Sequence, residues 1–149
     1  MSLKTRALGA LAGLSLSFLA VGVVGAADRP YSEGTVSNVT SIRTEPGMYD
    51  SYLAYLAGPW KQQMEAQKAA GIMVDYAIYS STPSSPADGN LYLVTFYKNM
   101  AAMDDLDART DPISEEIEGN LASQNKAYIE HGKMRTVLGS QLIREAVLK

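Results

Sequence analysis

Threonine, valine and isoleucine recur with partial alternation in GTVSNVTSIRT, which predicts a strand over Thr35–Thr44, closed by Pro46-Gly47. The period then changes. Tyr49, Leu53, Leu56, Trp60 and Met64 share one helical face between Met48 and Ala70, with Asp50, Lys61, Glu65 and Lys68 elsewhere. Gly71 is placed to take the left-handed position that ends such a helix. Gly58-Pro59 interrupts the pattern: proline lacks the amide donor and crowds the preceding turn, so the helix must bend or split there. The break then sets the direction of Trp60 independently of Tyr52 and Leu53, and gives Trp60 a place in a core or a cavity wall.

Further along, IMVDYAIYS (72–80) and LYLVTFYK (91–98) predict two strands, the second the more apolar and therefore interior, joined by the loop STPSSPADGN. Met100, Met103 and Leu106 suit a short helix. Asp111-Pro112 has the form of a helix start, an N-cap followed by proline, with Glu115, Glu116 and Glu118 near the positive end of the dipole. Ile113, Ile117, Leu121 and Tyr128 carry an apolar stripe on to His131, and Gly132 ends it. Met134–Leu148 supplies a fourth strand with a bulge expected at Gly139. The order strand, helix, strand, strand, helix, strand is that of a ferredoxin-like βαββαβ domain of the α+β class: a four-stranded antiparallel sheet with helices on one face. Its other face is left bare and apolar, which implies a homodimer formed through the sheet faces.

Composition changes the picture chiefly at the N-terminus. Lys4 and Arg6, the apolar run Ala7–Val24 and the small residues Gly25, Ala26 and Ala27 form the three parts of a secretory signal. Residues 1–27 are read as a cleavable leader and 28–149 as a single domain, exported to the periplasm or beyond and free of the membrane once cleaved. An uncleaved anchor is the competing reading of the same run. With 13 Lys and Arg, two of them in the leader, against 16 Asp and Glu, the mature chain is acidic. Clustered positive charge for nucleic acid or anionic lipid is missing. The chain has no cysteine, so an exported domain must be held by packing alone.

The transition SIRTEPGMYDSYLAYL from strand into the long first helix, and AAGIMVDYAIY from that helix into the second strand, resemble the dimeric α/β-barrel superfamily. Its members include the NIPSNAP, EthD-like, stress-responsive-barrel and antibiotic-biosynthesis-monooxygenase groups. The resemblance spans about Thr35 to Leu148 and lies in element order and pattern. It implies a homodimer with a cavity between sheet and helices, and no single chemistry, because the fold hosts enzymes, haem proteins and others.

Candidate chemistry is sparse. His131, the sole histidine, is either a helix-end residue facing the negative end of the dipole or a general base or haem ligand at a cavity mouth. One histidine and no cysteine give no set of soft metal ligands, and no metal site is expected. MDDLDARTD imitates a calcium loop from Asp105, but Arg109 stands at its fifth position and Thr110 at the sixth, where glycine is required. Nine tyrosines are more informative, since a buried phenol needs a partner and so marks an interface or a cavity edge. By alternation, Asp75 and Tyr79 share one sheet face and Ser37, Val39, Ser41 and Arg43 another stretch of it. Arg43, Asp75 and Tyr79 are therefore candidate ligand-binding residues on the uncovered face, with Trp60, unless Arg43 and Asp75 form a plain ion pair.

Three functions follow as expectations. One is binding of a small hydrophobic or aromatic ligand in a tyrosine-lined cavity, without cofactor. A second is a cofactor-independent monooxygenase- or isomerase-type enzyme, or a haem-binding variant, with Arg43 or Tyr79 polarising an oxygen and His131 or Asp75 as base. The third acts only through protein contacts.

Overall fold

The computed structural model describes residues 28–149 other than Pro86, so the leader assigned to residues 1–27 lies outside the described residues. Four strands, β1 (Tyr31–Thr44), β2 (Asp75–Ser80), β3 (Leu91–Tyr97) and β4 (Arg135–Leu148), form one antiparallel sheet in the order β2-β3-β1-β4. That is the ferredoxin-like α+β arrangement expected from the element order. Both long strands bulge. Ser41 pairs with Gly139 but Ile42 with Val137, so Leu138 is the extra residue, one position before the glycine at which a bulge was expected.

The helical layer is more divided than the periodicity predicts. The first helical run splits into α1 (Tyr49–Tyr55), a π turn (Leu56–Trp60) and α2 (Lys61–Ala69). Gly58, at φ −100° and ψ −111°, is the non-helical residue, and Pro59 follows it inside the turn. Gly71 adopts φ +68°, as expected. After a 3-10 turn at Met100–Met103, α3 runs Leu106–Glu118 and α4 runs Leu121–Gly132. Asp111-Pro112 therefore does not start a helix; it lies within α3. The rung that Pro112 forgoes would end on Ala108, and both residues are exposed, where a carbonyl without its helical partner costs little. The true break is at Gly119, whose φ of +83° suits a residue without Cβ, followed by Asn120, whose side chain caps α4 by accepting from the Ser123 N–H at 3.1 Å. The segment imitating a calcium loop is helical from Leu106 onward.

The core lies between helices and one sheet face, in two clusters. Val36, Met64, Met73 and Tyr97 form the first, with Ala102, Met103 and Leu106 against it. Ile42, Tyr52, Leu56 and Leu91 form the second, with Leu53, Tyr55 and Met134 against it. Trp60 packs on both, and its ring meets Tyr76 edge-on at 5.3 Å and 85°. The Gly58-Pro59 break thus turns the only tryptophan into the seam between the two clusters.

Candidate functional site

The residues proposed for the uncovered sheet face do share it, but they do not converge. Cross-strand pairing sets Asp75 beside Phe96 and Ser37, and Tyr79 beside Tyr92 and Ser41. Arg43 lies six residues beyond Ser37, so at about 3.3 Å per residue it is roughly 20 Å along the sheet from the level of Asp75. Two of the groups are also engaged otherwise. Asp75 binds Lys68 at 2.9 Å, and that hydrogen bond holds its carboxyl below the usual range. Arg43 donates through Nε and Nη2 to the Asp88 carbonyl at 3.4 and 3.3 Å, pinning the β2–β3 loop. Tyr79 is 54% exposed on the outer strand. A hollow of about 270 Å³ does open on this face beside the bulge, but Val39, Ser41, Leu138, Gly139, Ser140 and Gln141 line it, none of them titratable.

The other face of β4 holds the richer site. Arg135, first in the strand, pairs with the buried Thr44, which turns its side chain to the helix side. Above it, Gln124, Tyr128 and His131 fall at positions i, i+4 and i+7 of α4 and so share one stripe. Tyr55 closes α1, Glu118 closes α3, and Gln63 from α2 and Asn125 complete a pocket of about 290 Å³. His131 stands in the last turn of α4, and its ring lies against Tyr55, centroid to centroid 3.6 Å, tilted 36°. The Arg135 guanidinium stands 5.3 Å from the Tyr128 ring centre and 6.0 Å from that of Tyr52 beneath.

Burial dominates the electrostatics. It lowers the His131 pKa from its ordinary value, helped by the Arg135 charge and opposed by Glu118 and Glu130. It pushes the Tyr55 phenol up to about 12, with Glu118 adding and Arg135 opposing. Burial also raises Tyr52, against the pull of Arg135. At neutral pH the pocket therefore presents the neutral imidazole of His131 and the neutral phenol of Tyr55, with the Arg135 and Glu118 side chains beside them. Among the described residues no three His, Cys, Asp or Glu side chains come together as a metal cluster.

The sequence points to His131 and Trp60 singly and to Tyr55 and Tyr128 only as members of the tyrosine set at an interface or cavity edge; Arg135, Glu118 and the amides carry no signal there. The stripe 124-128-131 was present in the sequence, hidden because the two last helices were read as one continuous apolar face. Trp60 forms core packing three residues before Gln63 rather than lining the pocket.

No known protein-family model matches the chain, and no curated protein is significantly similar to it. Three solved structures are similar to the chain. HapK from Hahella chejuensis is 10% identical with a TM-score of 0.45, over 74% of this chain and 91% of that one. Protein SO0527 from Shewanella oneidensis is 14% identical with a TM-score of 0.48, over 78% and 96%. A dimeric ferredoxin-like protein from an uncultured marine organism is 11% identical with a TM-score of 0.47, over 79% and 90%.

Proposed function

We propose that this is an exported, homodimeric binding protein that holds a small aromatic ligand in the pocket between α1, α4 and the start of β4. The observation that carries the reading is the convergence of Tyr55, Tyr128, His131 and Arg135, from three elements, on one pocket of about 290 Å³. A concave site with aromatic walls and a few fixed polar groups is the usual form of a small-molecule site, and this volume lies just below the usual range of about 300–1,000 Å³. Size therefore favours a single-ring ligand over haem. The lining is also more polar than the sequence implied, so the ligand carries polar groups as well as a ring.

The homodimer rests on β4. Its inner edge pairs with β1 and, among the described residues, its outer edge is free; Ile143 on the open face and Val137 and Leu142 on the other are all 36% or more exposed, so the apolar surface wraps that free edge. A second copy would cover it. Export rests on the N-terminal pattern, and N-terminal sequencing of protein from the periplasmic fraction tests it: a start after Ala26 or Ala27 supports it, an intact Met1 contradicts it.

A panel of single-ring aromatics in a thermal-shift assay tests the binding reading. At least one compound should raise Tm by several degrees, with the rise abolished by Tyr55→Ala or Tyr128→Ala; no shift with any compound contradicts it. A second reading, a cofactor-independent enzyme, draws on His131 as a neutral base beside Tyr55 and Arg135. Arg43 and Tyr79, on the opposite sheet face, take no part in it. Turnover of a bound compound, lost in His131→Gln with binding retained, would favour this second reading.

A further inference from the structure

We propose that the pocket binds the carboxylate of a single-ring aromatic acid, with the Arg135 guanidinium as its anion-binding group. The inference deepens the ligand-binding reading above and rests on it. Arg135 is half-buried, and its Nε is closed off from solvent without a hydrogen-bond partner. Among the described residues no carboxylate lies within ion-pair distance of it, Glu118 included. A guanidinium so placed bears the cost of leaving water without the compensation of an ion pair, and each such unpartnered buried donor calls for an explanation. A carboxylate in the pocket that Arg135 lines supplies the missing counter-charge in the planar geometry that suits a guanidinium, so that the pair is charge-assisted and directional.

The surroundings narrow the ligand further. Tyr128, whose ring centre is 5.3 Å from the guanidinium, and Tyr55 both line the pocket, so an acid with its ring next to the carboxylate meets aromatic wall and guanidinium at once. Glu118 makes one carboxylate beside one guanidinium in the pocket wall, a balance that tolerates a monoanion and opposes a dianion such as phosphate. Gln63 and Asn125 are left to meet a polar ring substituent.

His131 is the only histidine, so its imidazole gives one set of NMR signals inside the proposed site. Benzoate, its neutral analogue benzamide, and inorganic phosphate are titrated at constant ionic strength into the wild type and into Arg135→Gln. The expected result is a saturable shift of the His131 signals with benzoate, binding of benzamide about tenfold weaker or more, and no response to phosphate. Arg135→Gln should cost benzoate about tenfold or more, as for a hydrogen bond to a charged group, and leave benzamide unchanged. Equal binding of benzoate and benzamide overturns the anion assignment while leaving the ligand-binding reading intact. Phosphate binding as tightly as benzoate overturns the aromatic-acid assignment. Silence with all aromatics overturns both. Should Arg135→Gln fail to fold, the benzoate-to-benzamide ratio in the wild type decides alone.

Discussion

Gly89 and His131 are positions where single atoms set the outcome. A Cβ on Gly89 would collide with the Ser41 Oγ and come within 2.8 Å of the Ile42 carbonyl, because the β2–β3 loop lies directly on β1. The same loop is tied down by Asn90, which accepts from the Thr44 N–H at 2.9 Å and donates to the Thr44 hydroxyl at 2.7 Å. Gly89→Ala should therefore cost roughly 1–3 kcal/mol of stability in chemical denaturation, as overpacking does. For His131 the sign follows from burial. Its lowered pKa means that the folded state holds fewer protons than the unfolded chain just below the ordinary value of about 6.5. Stability is then complete above that value and declines as pH falls from it toward the lowered one. Glu118, Glu130, Arg135 and the Tyr55 ring are the groups that face the imidazole, and the first two restrain the shift. Tm measured from pH 7.5 to 5.5 should fall, and His131→Gln should flatten the slope. Benzoate affinity should run the other way, rising as the imidazole gains its proton next to an anion.

At the scale of elements, the break in the first helix is a device for aiming Trp60. Pro59→Ala restores an amide donor and should draw the π turn toward regular helix, rotating Trp60 off the edge of Tyr76. A changed tryptophan emission maximum and a loss of about 0.5–1.5 kcal/mol, the worth of such an aromatic pair, are expected; an unchanged spectrum with unchanged stability contradicts this. The strands and the first helix were legible because their periods of 2 and 3.6 are imposed by burial on a single face. The α3–α4 joint was not, because Asp111-Pro112 carries a stronger start pattern than Gly119-Asn120, and only exposure of Ala108 and Pro112 makes the proline harmless in mid-helix. Misplacing that joint hid the Gln124–Tyr128–His131 stripe and with it most of the pocket. Arg135 was illegible for a different reason: a lone arginine at the start of a strand shows its missing partner only once the strand is paired.

Across the whole molecule, the sheet divides the protein into a helix-covered side that holds the core and the Tyr55–His131–Arg135 pocket and an open side that holds the hollow beside the β4 bulge, which no titratable residue lines. Arg43, Asp75 and Tyr79 lie on strand positions of one face but apart along the strand direction, which alternation does not report. The exposed apolar length of β4 belongs to this scale. Light scattering should give twice the protomer mass, and Ile143→Lys, on a position 50% exposed, should shift the population to monomer with the fold retained by circular dichroism. A monomeric wild type contradicts the dimer. The central claim, a small-ligand site at the junction of α1, α4 and β4, is tested most directly by diffraction from crystals soaked with benzoate. Density for a ring beside Tyr55 and Tyr128, with its carboxylate on Arg135, is the expected result. Benzoate density elsewhere with this pocket unchanged would contradict it.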